Sequence, residues 1–336
     1  IANILLENNE KSRNVNYFRL NTINNVNDPS EGHLLVNYLK GIRENSFYAP
    51  DFDKSLHAFI SCFTFNHDSL NQFRLYGKEA DKEASGVSLV FKKEFFQSES
   101  FLGGLSFLSL KNNIQNLDRD NSSLEVNEQS DTKNNSEKKS RISNQPVMRC
   151  VYIDPTSSYV QLAQRNRLTF FREFGNETVL IQGQETSKAE YEWEEYKKYI
   201  DEKTIAFSNA FRTLKNTYES IIEEKKAILS DELESSNKIY ALINEILLPL
   251  KYLIKHSAFQ EEQECRMVYV TSLNAPEVSM VDKKFLFVEY DSKVKENLNK
   301  VYIAPAAKDY RLYLAWLLRD QDIKIELSNN PYRQTS

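Results

Sequence analysis

Phe259-Gln-Glu-Glu-Gln-Glu-Cys-Arg-Met-Val-Tyr-Val270 passes from a charge run into an apolar, β-branched run, straight after a long stretch of helical pattern. The run reads as a strand. If extended geometry begins at Glu262, a period of two puts Glu262, Glu264 and Arg266 on one face. Two such carboxylates repel, which raises one pKa, while the arginine beside them holds the other ionised. Polarised pairs of that kind occur at functional sites. The competing reading is a solvated charge run, Glu261 to Glu264, ahead of an edge strand.

Working outward, strand-like sequence recurs far upstream, at Asn16–Leu20, Ala58–Phe65, Gly86–Phe91 and Val147–Ile153, and downstream at Lys284–Val288, Asn299–Ile303 and Ile323–Leu327. Helices are expected over 29–44, over the Leu70, Phe73 and Tyr76 spacing closed by Gly77, and over 309–319. Trp193, Tyr196, Ile200, Phe207, Phe211, Leu214, Tyr218 and Ile221 form the apolar stripe of one long amphipathic helix. A second helix is expected from Asp231 to His256, kinked at Pro249. Together they make a helical hairpin over 185–256, which either packs on the sheet or presents a partner-binding surface. Strands that flank a helical insertion must pair across long separations, so the fold class is α+β with high contact order. Residues 111–146 are dominated by Asn, Ser, Asp, Glu, Lys and Gln and read as a mobile low-complexity insertion, leaving 1–110 and 147–336 as a single domain.

The whole chain narrows the function classes. With 336 residues, 40% of them hydrophobic, there is ample material for a core. A net charge of −5, with bases diluted among acids, argues against nucleic acid as the main partner. Cys62, Cys150 and Cys265 show neither disulfide nor zinc spacing relative to each other or to the four histidines, so no metal is expected and a reducing, cytoplasmic compartment fits. No apolar run reaches the length of a membrane span, so no membrane partner is expected. The chain opens at Ile1 rather than Met, an opening expected of an artificial boundary or of a cut from a longer parent, either of which would leave targeting information out of view. Gly-rich phosphate loops are missing, and the Cys62–His67 spacing matches no local signature of a cysteine hydrolase.

Two further segments carry chemistry-bearing residues in apolar surroundings. In Tyr17-Phe18-Arg19 a guanidinium inside a short strand needs an anion, either a phosphate or a structural carboxylate. In Phe59–Thr64 the hydroxyls of Ser61 and Thr64 interrupt what would otherwise be pure core, and such hydroxyls commonly bond the local backbone.

Taken in order, an aromatic-Arg pair on a first strand, Ser-x-x-Thr on a later one and Glu-x-Glu leading into a third resemble the R-S-E group of mono-ADP-ribosyltransferases. That group includes bacterial toxins and arginine-modifying enzymes. The chain is also similar to an uncharacterised bacterial domain family, through Phe18-Arg-Leu20, Asn27-Asp-Pro-Ser-Glu31, the Ser61 strand, Asp68-Ser-Leu70 with Tyr76-Gly77, Gly86–Phe91 and Phe259-x-x-Glu-x-Glu-x-Arg266. The resemblance spans most of residues 16–95 and 250–305 and leaves 111–146 and 185–235 outside it.

It implies a split β-sheet core with flanking helices and a long helical insertion. It also implies NAD as substrate: Arg19 on its phosphates, Ser61 orienting the catalytic carboxylate and touching the nicotinamide ribose, Thr64 among the NAD-binding residues, and Phe73 or Tyr76 stacked on nicotinamide. Glu264 would stabilise the oxocarbenium ion as nicotinamide leaves, and Glu262 would steer an acceptor, usually an arginine on a protein. Such an enzyme would act in its own cytoplasm or as an effector delivered into another cell. Two departures stand out: Ser61-Cys62-Phe63 replaces Ser-Thr-Ser, and Arg19-Leu20 replaces Arg-Gly. The rival expectation is a non-enzymatic interaction module on the same fold.

Overall fold

The computed structural model describes residues 17–25, 31–41, 54, 56–79, 82–96, 140–143, 145–228, 242–243, 246–248 and 250–332. Most of the expected insertion at 111–146 and the start of the second hairpin helix lie outside the described residues.

The strands are β1 (Phe18–Thr22), β2 (His57–Thr64), β3 (Val87–Phe91), β4 (Met148–Arg149), β5 (Val151–Ile153), β6 (Val160–Leu162), β7 (Thr178–Ile181), β8 (Gln184–Ser187), β9 (Ile254–His256), β10 (Glu264–Thr271), β11 (Val278–Val281), β12 (Phe285–Tyr290), β13 (Leu298–Ile303) and β14 (Lys324–Leu327). Among the described residues the labelled α-helices are α1 (Leu34–Lys40), α2 (Leu70–Tyr76), α3 (Arg167–Phe174), α4 (Lys188–Ile228) and α5 (Arg311–Leu317), and further helical residues lie at 242–243, 246–248 and 250–251.

The architecture is mixed α+β, with several antiparallel and mixed sheets. The largest runs β11-β12-β1-β2-β10-β4 and is antiparallel throughout. Two three-stranded sheets, β14-β13-β3 and β6-β5-β9, each combine a parallel and an antiparallel pair. Among the described residues no helix is long and apolar enough to cross a membrane.

Pleat parity gives the large sheet two unlike faces. Leu20, Phe59, Met267, Val288 and Tyr290 share one apolar core with Val301 and Ile303 of β13 and Leu314 and Leu317 of α5. On the opposite face Ala58, Ile60, Val268 and Val270 pack against Leu248, Tyr252 and Leu253. Arg266 also lies on this second face, opposite Cys62 in the β2–β10 register.

Several elements differ from expectation. The strand foreseen over 147–153 divides at Cys150. Its N–H donates to Glu264 O at 3.0 Å on one sheet, while its carbonyl accepts from Ala163 N at 2.8 Å on another. The helix foreseen to run on to His256 ends at Lys251. Val151 N then donates to Leu253 O, and Ile254–His256 continues as β9, parallel to β5. Of the helix foreseen over 29–44, α1 is the described part, closed by Gly41 at φ 67°, and residues 29–30 and 42–44 lie outside the described residues. The long helix does form, 41 residues in length. Ile200, Phe211 and Tyr218 of its stripe are buried, Tyr38 of α1 stacks on Phe211 at 4.9 Å, and Ile222 rather than exposed Ile221 carries the stripe onward.

Gly77 ends α2 where the spacing predicts, and it also touches Gly86 at the head of β3. A Cβ on Gly77 would lie 2.7 Å from Phe73 O and 2.8 Å from Gly86 N, both backbone atoms. Gly77→Ala is therefore expected to lower stability by about 1–3 kcal/mol through overpacking. Urea unfolding would measure it, and an unchanged midpoint would contradict the close approach.

Candidate active site

One cleft of about 900 Å³ opens where the end of β2 meets the start of β10. Its walls come from α2 (Gln72, Phe73, Tyr76), β3 (Val87–Phe91), β13 (Lys300, Tyr302) and α3 (Arg172, Glu173). Cys62, Phe63, Thr64, Glu262 and Glu264 line it as well, and Arg165 and Lys324 add two further cations.

The Glu-x-Glu segment is built differently from a continuous strand. Ser257–Glu262 forms a 3-10 turn, Gln263 takes a left-handed conformation at φ 45°, and β10 begins only at Glu264. Strand alternation therefore places Glu264 and Arg266 together, but not Glu262. The turn is pinned from several sides. Thr64 Oγ1 and Gln72 Nε2 donate to the Glu262 carbonyl at 2.8 and 3.1 Å, Gln164 N donates to Gln263 Oε1 at 2.6 Å, and Phe65 N donates to Gln263 O at 3.0 Å.

What unites the two carboxylates is Lys255, projecting from β9. Its Nζ stands 2.7 Å from Glu262 Oε2 and 2.5 Å from Glu264 Oε2. Arg266 adds Nε at 2.5 Å to Glu264 Oε1 and grips Glu31 with both terminal nitrogens, at 2.9 and 2.5 Å. Tyr76 donates its hydroxyl to Glu262 Oε1 at 2.7 Å. Glu264, Lys255 and Arg266 are only 4%, 4% and 1% exposed. Charges this deep persist only because each is paired.

The electrostatics follow from these contacts. Burial acts to raise the Glu264 pKa, but Arg266 and Lys255 outweigh it and hold the carboxyl well below its ordinary range. For Glu31 burial wins over Arg266, and the pKa rises. Burial works against the Lys255 ammonium, yet Glu264 and the other carboxylates hold its pKa above the lysine range. Cys62 reaches solvent through the cleft although protein surrounds it closely. Burial, then the Glu264 charge, pushes its thiol well up, so it stays protonated beside Glu264. That state is unfit for nucleophilic attack. Burial, then Arg165, lowers the His67 pKa, and the ring lies stacked on Tyr302 at 5.1 Å.

A pH dependence follows. Between the ordinary carboxyl value of 4.5 and the depressed folded value of Glu264, the unfolded chain binds the extra proton. Glu264 therefore contributes stability above that window and loses it as pH falls through it. Glu31, shifted the other way, offsets part of the loss. Glu264→Gln is expected to flatten the acid limb of stability against pH, measured as urea midpoints from about pH 5 to 3. A limb as steep as that of the wild type would contradict the ionised, paired carboxylate.

The structure brings Glu262, Glu264, Thr64, Phe73 and Tyr76 to this cleft. Arg19 and Ser61 are not among its lining residues. Arg19 lies on β1, its guanidinium 3.9 Å above the Phe287 ring and 3.6 Å from Glu289 Oε1, its partner across β12. Ser61 pairs with Met267 on the apolar face, whereas Cys62 faces Arg266. Sequence reasoning passed over Lys255, Glu31 and Cys62 as site residues. Cys62 could have been found by counting pleat parity back from Thr64, and Glu31 from its place at the end of the Asn27-Asp-Pro-Ser-Glu31 segment; Lys255 carries no local signal. Among the described residues no cluster of His, Cys, Asp and Glu is disposed to hold a metal ion. No protein-family model, curated protein or solved structure matches the chain.

Proposed function

We propose that the chain is a mono-ADP-ribosyltransferase: it binds NAD in this cleft, opens the nicotinamide glycosidic bond and passes ADP-ribose to an acceptor. The observation that carries the proposal is an ionised carboxylate, Glu264, at the wall of a cleft faced with aromatic rings. Glycosidic cleavage develops positive charge at the anomeric carbon, and a fixed carboxylate beside it lowers the barrier. Phe63, Phe73, Tyr76 and Phe91 offer ring faces for the two heterocycles, and a cavity of about 900 Å³ is within the usual range for ligand sites.

The sheet order supports the resemblance. β1, β2 and β10, which carry the Arg, Ser-x-x-Thr and Glu-x-Glu motifs, lie side by side, with the β14-β13-β3 sheet as the second half of a split core. The phosphate-holding part falls to Arg165, Arg172, Lys300 and Lys324 of the cleft in place of Arg19. The acceptor-activating part stays with Glu262, and Cys62 takes the place beside Glu264 that the resemblance assigned to Ser61.

One observation favours a second reading, an interaction module without catalysis. Both Glu264 oxygens are already engaged by Arg266 and Lys255, so the cluster suffices as a structural brace. Nicotinamide release from NAD by the purified chain, together with NAD titration calorimetry, separates the two. Release accompanied by binding is expected; the absence of both would leave only the brace.

A further inference from the structure

Both oxygens of the acceptor-steering carboxylate already carry donors. Glu262 Oε1 takes the Tyr76 hydroxyl at 2.7 Å, and Oε2 takes the Lys255 ammonium at 2.7 Å. That ammonium is not a surface cation that swings aside. Its side chain is 5% exposed, and it sits 2.5 Å from Glu264, 3.7 Å from Glu31 and 5.1 Å from the Phe259 ring centroid. Its stem is held in β9, paired with Tyr152 of β5.

An arginine acceptor needs a carboxylate that can take its planar fork. Here the cation position between Glu262 and Glu264 is filled from within the chain. An incoming guanidinium would have to expel Lys255 from a buried site or settle for a single-point contact, because each Glu262 oxygen already holds one donor, and either course forfeits the two-point grip of its fork. A neutral hydroxyl meets no such obstacle, because a carboxylate oxygen has two lone pairs and can accept one more O–H.

We infer that Lys255 excludes guanidinium acceptors and that this site transfers ADP-ribose to a neutral hydroxyl, with water as the simplest case. The inference rests on the NAD-cleaving reading and names its acceptor class. In the step, the bond from C1′ to the nicotinamide nitrogen breaks, and its electron pair leaves with neutral nicotinamide. The hydroxyl oxygen bonds to C1′, and its proton passes to the Glu262 carboxylate and then to solvent. Nothing is oxidised or reduced.

The test incubates the full chain with NAD in four arms: no additive, methanol, a serine-containing peptide, and agmatine as a small guanidinium. Products are separated and weighed by mass spectrometry. Free ADP-ribose without additive assigns water, and adducts on methanol or on the peptide assign a wider hydroxyl range; each supports the inference. Agmatine is expected to give no adduct and no change in nicotinamide release. In Lys255→Met the agmatine adduct is expected to rise at least about tenfold, as for an electrostatic contact restored to a substrate.

ADP-ribosyl-agmatine as the main wild-type product would overturn the inference, and this arm needs no variant to fold. Agmatine binding is followed separately by calorimetry without NAD. Saturable binding to the wild type also overturns the inference, whereas binding to Lys255→Met alone supports it. Nicotinamide release in no arm would overturn the NAD-cleaving reading itself, and the assignment of an acceptor falls with it.

Discussion

Arg266→Met is expected to destabilise the protein by about 3–5 kcal/mol, the usual cost of removing one partner from a buried ion pair. The guanidinium is almost wholly buried and serves three groups: the Glu31 carboxylate, the Glu264 carboxylate and the Tyr252 carbonyl at 2.8 Å. Methionine fills much of the volume but leaves two carboxylates in a dry site with Lys255 alone between them. Glu31→Gln should cost less, because burial disfavours the ionised form of Glu31 and the amide removes that penalty. Combined, the two changes should cost less than the sum of the singles, since each removes the other's unpaired charge. Urea unfolding of the four proteins measures this. A loss under about 1 kcal/mol for Arg266→Met would mean that water reaches the cluster and that burial does not govern it.

Glu264→Gln is expected to slow nicotinamide release by about 10²–10³-fold, the usual effect of deleting one electrostatic stabiliser of a transition state. The amide keeps the shape of the side chain and removes only the charge that faces the developing oxocarbenium ion. NAD binding should change far less than the rate, because the charge matters most after the bond begins to break. Assays belong at a temperature where circular dichroism shows both proteins folded, since the amide would also leave Lys255 and Arg266 with one carboxylate fewer. Pleat parity adds a contrast. Cys62→Ala removes the thiol that stands beside Glu264 and should cost more activity than Ser61→Ala, whose side chain lies on the other face of β2. Equal rates for wild type and Glu264→Gln would sink the catalytic assignment of this carboxylate.

Much of the architecture was legible before any coordinates. Ala58–Phe65 and Cys265–Val270 read as strands because aromatic and β-branched residues suit a half-buried pleated surface, and β2 and β10 occupy those positions. The stripe from Trp193 to Tyr218 read as a helix because its period is local, and α4 spans it. Shorter elements were read less well. Ile254–His256 has the composition of a helix end and becomes a strand only because Val151–Ile153 offers it an edge. Cys150 looks like the middle of one strand and instead divides two sheets.

The candidate site divides in the same way. That Glu264 and Arg266 share a face follows from strand alternation within one segment, and any reader of the sequence can count it. Which neighbours stand on that face depends on the register between strands distant in the chain. That register brings Cys62 rather than Ser61 to Glu264, because a shift of one residue turns every side chain to the opposite surface. Glu31 reaches Arg266 across 235 residues, and Lys255 joins Glu262 to Glu264 because β9 docks on β5. Local sequence thus determined the kinds of elements and the residues able to do chemistry. Only the tertiary structure decided which of them meet, because pairing register and burial are properties of the assembled core, and no single segment carries them.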